Sequence, residues 1–198
     1  MKRNTAQLKE KLIETGIEEI KNNGIDAISL RTIAKKCGVT HGTPYRHFES
    51  KDGYLELILK HLSVFFSEEL MQDVKEEKTA KEAITVMGSN YLHFSSDYPF
   101  FFEALFIKYP LTFLNISKTT LSTEYEIPGF IRFKEVVLRL IEEEQLLVSE
   151  TDAILHLWSF ISGLAILANA QKVSMDLHVD FEESIINMLT IYIAGGKS

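Results

Sequence analysis

Apolar residues recur with a helical period along almost the whole of this 198-residue chain, and this periodicity limits the fold more than any other feature. The first apolar stripe consists of Leu8, Leu12, Ile13, Ile17 and Ile20. The second consists of Leu30, Ile33, Ala34 and Cys37. No run alternates between apolar and polar residues in the way that a half-buried strand does. The pattern therefore predicts an all-α protein of about nine helices.

Turn and capping residues set the predicted helix ends. Ser29 is expected to cap the second helix, which Gly38 ends, and Thr40 to cap a short third helix that runs to Phe48. Later helices are predicted over Ser50 to about Met71, from Thr79, from Pro99 to near Pro110, over 130–140, over Thr151–Lys172 and over Asp180–Ala194. Residues 111–128 have the weakest pattern, which indicates a loop or a broken helix.

Residues 29–48 have the spacing of two short helices around a tight turn. Ala34 is small enough for a second helix to cross it closely, and Gly38 can adopt the positive φ that a short turn requires. Val39 is predicted to fill the space between the two helices. This arrangement is typical of a helix-turn-helix, whose second helix enters the major groove of DNA.

Charge is distributed unevenly along the chain, whose net charge is −7. Residues 1–51 contain ten Lys and Arg against six Asp and Glu, whereas residues 52–198 contain eleven against twenty-two. A basic N-terminal segment on an acidic body favours a polyanionic partner for that segment. Chance clustering explains the same numbers equally well, so charge alone does not decide between the two interpretations.

The chain resembles the TetR family of one-component bacterial transcription regulators, most closely over about residues 8–65. The resemblance rests on the segments Ile33 to Thr40, Gly42-Thr43, Tyr45-Arg46-His47-Phe48 and Ser50 to Leu55. It implies two domains, a three-helix helix-turn-helix head over residues 1–50 and a helical ligand-binding and dimerisation domain over residues 51–198.

A looser resemblance continues into the second half of the chain. Tyr91-Leu92-His93-Phe94, Tyr98-Pro99 and the segment from Trp158 to Gly163 are similar to a subgroup of the family with a Trp-His-Gly block. Ser162 stands where that subgroup has histidine, so the role of that histidine does not carry over to this chain.

Chemistry and resemblance together assign DNA-binding roles to nine residues. Phosphate contacts are expected from side chains with hydroxyl, imidazole or cationic donors, namely Arg31, Thr40, Thr43, Tyr45, His47 and Lys51. Base-edge positions are expected at His41, Gly42 and Arg46, where arginine can pair bidentately with guanine. Alternatives remain at three of them: Tyr45 as a packing residue, Arg46 as a phosphate contact, and Gly42 as a site of close approach only.

Aromatic residues are frequent in the middle of the chain and predict a pocket for a small apolar or aromatic effector. The predicted lining is Tyr91, Phe94, Phe102, Phe106, Phe133 and Trp158. The alternative is a plain core built from phenylalanine.

Residues 153–170 are apolar on all sides and are about as long as a membrane-spanning helix. Their polar residues His156, Ser159, Ser162 and Asn169 argue against a membrane span, so this helix is expected to be buried on two sides. Together with the last helix it would form a four-helix bundle with a second copy of the chain, which is the usual dimer of the family.

The sequence thus predicts a cytoplasmic, homodimeric DNA-binding regulator, most readily a repressor that a ligand releases from a near-palindromic operator. A lone cysteine, Cys37, suits a reducing compartment, and no metal or cofactor is expected, since the six histidines lack metal-pair spacing. An activator or a ligand-independent regulator of the same family is the alternative. An enzyme with an aromatic pocket is disfavoured because no acid–base or nucleophile motif occurs, and a membrane-bound sensor is the third class.

Overall fold

The computed structural model describes residues 2–75, 78–109, 115–116, 121–122, 127–171 and 180–197. Within these residues the chain forms nine α-helices, so the predicted all-α class is confirmed. The helices are α1 Lys2–Asn23, α2 Leu30–Cys37, α3 Thr43–Phe48, α4 Lys51–Leu70, α5 Ala80–Asp97, α6 Pro99–Phe102, α7 Pro128–Glu144, α8 Glu150–Gln171 and α9 Phe181–Gly195. A short 3-10 helix, Ile25–Ala27, follows α1, and a π-helical stretch, Glu103–Lys108, follows α6.

The chain packs into two compact units. Residues 1–63 and 98–110 form the first, and residues 64–97 and 111–198 form the second. The first part of α4 therefore packs with α1–α3, and its last turns belong to the second unit. The packing units thus differ from a division at residue 50, which stays a prediction about function.

A glycine allows α1 and α4 to approach closely in the first unit. A Cβ atom at Gly16 would overlap the Tyr54 hydroxyl and lie 2.5 Å from the Ile58 Cδ1 atom. The Tyr54 hydroxyl donates a 2.6 Å hydrogen bond to the Leu12 carbonyl, and burial raises the pKa of this phenol above its usual range. The close approach thus lets a buried polar group find its partner.

In the second unit, α5 packs against α7, α8 and α9. Its buried face includes Ile84, Met87, Tyr91 and Phe94. Thr79 and Glu82 form a capping box at its start, because the Thr79 amide donates to the Glu82 carboxylate and the Glu82 amide donates to the Thr79 hydroxyl. The predicted start at Thr79 is therefore explained by local chemistry.

Most of the weakly patterned segment 111–128 lies outside the described residues, as does Lys172. In the described part, Asn115–Ile116 (β1) and Leu121–Ser122 (β2) form an antiparallel pair, with Asn115 opposite Ser122. Strands of two residues have no alternation for a sequence pattern to reveal.

Candidate nucleic-acid interface

The turn between α2 and α3 has the predicted helix-turn-helix geometry. Gly38 follows α2 in the left-handed region at φ 74°, and the Val39 amide donates a 3.0 Å hydrogen bond to the Ala34 carbonyl. These are features of a Schellman ending, which satisfies the last carbonyls of a helix. Ala34 is buried and Val39 half-buried. The positive φ predicted for Gly38 is thus confirmed, and the burial of Ala34 and Val39 is compatible with their predicted packing roles.

The third helix begins two residues later than a cap at Thr40 would place it, so the prediction of Thr40 as its cap is wrong. Gly42 precedes the helix, and the side chain of Thr40 bonds to the Thr43 hydroxyl at 2.9 Å instead of to a helix amide. The Thr43 amide donates to the Thr40 carbonyl at 2.9 Å, which closes a turn before the helix. Pro44 explains the late start, because a helix capped by Thr40 would need the amide of residue 44 to donate to the Thr40 carbonyl, and proline has no N–H.

A strained connection joins α3 to α4. Glu49 has φ 63° and ψ −43°, its amide donates to the Tyr45 carbonyl, and the Ser50 amide donates to the Phe48 carbonyl at 2.6 Å. A Cβ atom at Gly53 would lie 2.5 Å from the Phe48 carbonyl oxygen, so only glycine fits there. The Ser50 hydroxyl accepts from the Gly53 amide at 3.0 Å, which confirms Ser50 as the cap of α4.

The side chain of Phe48 anchors α3 in the core of the first unit. Its ring meets the Tyr54 ring edge-on at a centroid distance of 4.8 Å, and the Lys9 ammonium lies 5.8 Å from its centroid. Gly53 and Tyr54 therefore support α3, although the sequence pattern assigned them no role. A glycine in the first turn of a helix, three residues after a capping serine, is the signal that points to such close packing.

The structure places the nine predicted DNA-binding residues on α2, on the turn and on α3, and at the start of α4. The exposed ones are Arg31, Thr40, His41, Tyr45, Arg46 and Lys51, and the half-buried ones are Gly42, Thr43 and His47. Tyr45 is 51% exposed, which leaves little support for the alternative that it only packs. Phe48 and Ile33 are buried and belong to the core, as predicted.

Cations of the first unit divide into paired and unpaired groups. Lys36 forms an ion pair with the buried Glu19, and Lys108 lies 2.6 Å from Asp26. The hydrogen bond from Lys36 lowers the pKa of Glu19 below its ordinary value. Arg46 and Lys51, by contrast, have no ion-pair partner among the described residues. They are therefore available for phosphate or base contacts.

The structure separates the six predicted pocket residues between the two units. Phe102 and Phe106 belong to the first unit, where their rings contact each other at 5.2 Å. Tyr91, Phe94, Phe133 and Trp158 belong to the second unit. A single pocket lined by all six is thus not a feature of either unit alone.

The aromatic residues of the second unit are joined by ring contacts and hydrogen bonds. Phe66 meets Tyr91 and Phe94 edge-on at 5.7 and 4.9 Å. The Tyr91 hydroxyl lies 3.1 Å from the Ser162 hydroxyl, and burial raises the pKa of this phenol above its usual range. Ser162, which replaces the histidine of the resembling subgroup, therefore still makes a polar contact in the core.

The described parts of the chain bear on a metal site and on a membrane span. No group of three or more His, Cys, Asp or Glu residues could hold a metal ion there. One of the described helices, α8 over Glu150–Ala170, is long and apolar enough to cross a membrane, and a third of its most apolar window is buried. A core helix of a soluble protein passes the same test.

Comparisons with known proteins match this geometry. The family described as "Bacterial regulatory proteins, tetR family" matches residues 12–58. An HTH-type transcriptional regulator of Staphylococcus aureus (strain MRSA252) is 31% identical over 147 residues, which are 71% of each chain. The fatty acid metabolism regulator protein of Bacillus subtilis (strain 168) is 36% identical over 84 residues, and this match spans only 42% of each chain.

A solved structure agrees over nearly the whole length. The transcriptional regulator FadR from Bacillus subtilis, in complex with stearoyl-CoA, superposes with a TM-score of 0.61 at 19% identity. The superposition covers 94% of this chain and 98% of that one, which supports the fold alone. The geometry of α2 and α3 and the long match to the Staphylococcus aureus regulator lead to one conclusion: the chain belongs to the TetR family of bacterial transcription regulators and binds DNA through its helix-turn-helix.

Proposed function

We propose that this regulator is a cytoplasmic, homodimeric repressor that a small apolar ligand releases from a near-palindromic operator. The observation that carries the proposal is the exposed surface from Thr40 to Lys51, which combines hydroxyl donors with cations that lack ion-pair partners among the described residues. Such a surface suits a phosphate backbone and the base edges of a groove. The buried Cys37 is compatible with a reducing cytoplasm.

In this proposal, Arg31, Thr40, Thr43, Tyr45, His47 and Lys51 contact phosphates, and His41 and Arg46 reach base edges. Gly42 is half-buried, and a Cβ atom at this position would have no neighbour within 4 Å. The residue therefore permits close approach of the DNA. Arg46 lies in the last turn of a six-residue helix, where a long side chain can extend to a guanine.

Selection of DNA by the full-length protein tests this proposal. A randomised duplex pool is incubated with the protein, and the retained sequences are amplified and read over several rounds. We expect enrichment of a near-palindromic sequence with half-sites about one helical turn apart or a multiple of that. Failure to enrich any sequence, under conditions in which the protein is folded, would contradict the proposal.

The aromatic core of the second unit is the proposed place of the ligand. Its proposed lining is Tyr91 and Phe94 on α5, Phe133 on α7 and Trp158 on α8. The buried polar residues among the described ones in this unit are the serines Ser67 and Ser95. A lining with hydroxyl groups and no buried charge favours a neutral or apolar ligand portion. FadR, the fold neighbour, binds stearoyl-CoA.

The 20-residue helix α4 is the proposed route from ligand to DNA. It begins at Lys51, in the DNA-binding surface, and its last turns belong to the second unit, where Phe65 and Phe66 contact Phe94. A helix of this length is about 30 Å long, so a small tilt at one end displaces the other by a few ångströms. Such a displacement would spoil the match of two heads to two grooves.

Titration of the protein–DNA complex tests the coupling. The single tryptophan, Trp158, reports occupancy through its fluorescence while anisotropy of a labelled duplex reports DNA affinity. Stearoyl-CoA, an apolar phenol and an aromatic cation serve as probes, and we expect a probe that quenches Trp158 to weaken DNA binding. A probe that quenches Trp158 and leaves DNA affinity unchanged would refute the coupling.

The outer faces of α8 and α9 are the proposed dimer interface. Large apolar side chains remain exposed there, with Leu167 at 61% and Ile191 at 73%. The Asn169 amide donates to the Ser95 carbonyl, and His156 lies 3.2 Å from the Tyr192 hydroxyl, so α8 is fixed to α5 and α9 by polar contacts. These contacts favour burial of α8 by a second copy over insertion into a membrane.

The enzyme alternative gains no support from the polar clusters of the second unit. Ser89 donates a 2.7 Å hydrogen bond to Glu182, which also lies 3.6 Å from His93. The side chains of His93 and Glu182 are 65% and 60% exposed, so this cluster lacks the water-excluded setting that strengthens a catalytic group. We therefore propose that this regulator has no catalytic activity.

A further inference from the structure

Two hydroxyls in the proposed DNA-binding surface are bonded to each other. The Thr40 and Thr43 Oγ1 atoms lie 2.9 Å apart, and the Thr43 amide donates to the Thr40 carbonyl, also at 2.9 Å. Gly42, at φ −81° and ψ −11°, has the geometry of the third residue of a type I turn, which holds the pair together. The backbone of the turn therefore holds the two hydroxyls in contact.

Counting protons limits what this pair can donate. Each threonine hydroxyl has one proton and two acceptor lone pairs. One of the two protons is used within the pair, so a single proton remains for an outside acceptor. The pair can thus donate one hydrogen bond to a phosphate, although two hydroxyls are present.

Burial decides which hydroxyl keeps the free proton. Thr40 is exposed, whereas Thr43 is half-buried at the start of α3. An outside acceptor reaches the more exposed hydroxyl first, and this hydroxyl then accepts from the inner one. A hydroxyl that accepts a hydrogen bond is polarised and becomes a stronger donor.

We infer that Thr43 and Thr40 form a hydroxyl relay in which Thr43 donates to Thr40 and Thr40 donates to one phosphate of the operator. Thr43 is then a positioning residue, and Thr40 makes the contact. The inference rests on the proposed function, and it replaces two independent phosphate contacts by one coupled contact.

A double-mutant cycle on the full-length protein tests the relay. Thr40→Val, Thr43→Val and the double variant are compared with the wild type by anisotropy on a duplex that the wild type selects from a random pool. We expect Thr40→Val to lose about tenfold in affinity or more, as for a hydrogen bond to a charged group. Thr43→Val loses less, the double variant loses no more than Thr40→Val, and Thr43→Ser restores wild-type affinity.

A second measurement separates the relay from a general disturbance of α3. Duplexes with one neutral methylphosphonate at each position of a half-site are bound by all variants. We expect one methylphosphonate position at which Thr40→Val and Thr43→Val bind as tightly as the wild type, because the charged acceptor of the relay has been removed there. If the variants only disturbed the structure of α3, they would bind every duplex more weakly than the wild type does.

Losses that multiply in the double variant, or penalties that persist at every methylphosphonate position, would overturn the relay and leave the proposed function intact. If the wild type selects no duplex at all, the proposed function fails and the relay fails with it. Circular dichroism melting checks that the valine variants are folded. Thr43→Ser keeps the hydroxyl at residue 43, so its DNA affinity shows whether the loss in Thr43→Val comes from the missing hydroxyl.

Discussion

At the scale of single residues, the exposed cations of the first unit differ in what they can contact. Lys36 is held by Glu19, whereas Arg46 and Lys51 have no ion-pair partner among the described residues. An unpaired exposed cation loses no internal contact when it meets a phosphate. Arg46 and Lys51 are thus the cations of this surface best suited to bind DNA, and their different positions predict different effects.

Alanine at these two positions separates backbone binding from base reading. Lys51→Ala should weaken binding to all sequences and lower the slope of log affinity against log salt by about one per head. Arg46→Ala should in addition relax the preference at one base pair, with a loss of about 1–3 kcal/mol on the preferred base. Anisotropy on the selected duplex and on single-base variants measures both.

Lys75→Ala provides the control, since this exposed lysine lies in the second unit and is not one of the proposed DNA-binding residues. Equal losses for Arg46→Ala on every sequence would show that Arg46 binds phosphate and reads no base. This was the alternative that the sequence left open.

The buried carboxylate of Glu19 predicts a pH-dependent contribution to stability. Its pKa is lowered in the folded state, chiefly by the hydrogen bond from Lys36, so its contribution is present above the unfolded pKa and is lost as pH falls through the folded pKa. Glu19→Gln should lower the free energy of unfolding by about 1 kcal/mol at pH 7.

Urea unfolding of the wild type and of Glu19→Gln at pH 7 and near pH 3 measures this difference. The difference between the two proteins should shrink at the lower pH, because protonation of the wild-type carboxyl progressively removes the ion pair. The exposed Glu14→Gln, also on α1, is the control. A difference that is the same at both pH values would contradict an ionic role for Glu19.

At the scale of elements, local chemistry explains which predictions from sequence are confirmed. The end of α2 follows from Gly38, which adopts the left-handed conformation easily. The start of α4 follows from Ser50, whose hydroxyl accepts a hydrogen bond from the Gly53 amide. Both effects act within a few residues. The start of α3 is missed because two competing effects meet there, a threonine that can cap and a proline without the N–H that a helix capped at Thr40 would need.

Other features depend on partners far away in sequence. The separation of Phe102 and Phe106 from the other aromatic residues depends on tertiary packing, since helical spacing does not show which unit a helix joins. Periodicity therefore predicts the helices, and their assignment to units requires the structure.

The dimer interface can be tested at one position of α8. A Cβ atom at Gly163 would meet nothing within 4 Å, and the exposed residues Ser159 and Leu167 lie one turn away on either side. Gly163→Leu should leave the protomer as stable as before or up to about 1 kcal/mol more stable, because leucine favours helix. The same side chain should block close approach of a second copy and dissociate the dimer.

Light scattering should give about 45 kDa for the wild type, twice the chain mass of 22.6 kDa, and about half of that for Gly163→Leu. Glu142→Leu adds the same side chain at an exposed position of α7 and should remain dimeric. A wild-type protein that is monomeric at micromolar concentration would contradict the proposed assembly.

At the scale of the whole molecule, the proposed function depends on two heads that bind one duplex together. An isologous dimer presents two identical helix-turn-helix units, so its operator should be near-palindromic. Because each turn of DNA contains about 10–10.5 base pairs, the two half-sites must face the same side of the duplex. The spacing between half-sites is then as important as their sequence.

Changing that spacing is the most direct test that a paired helix-turn-helix reads this DNA. Five base pairs inserted at the centre of the selected duplex rotate one half-site by about half a turn, whereas ten restore the original face. The affinity of the full-length protein, measured by anisotropy, should fall close to the non-specific level with five added base pairs and recover in part with ten. An affinity that is unchanged by five added base pairs would contradict binding by two coupled heads.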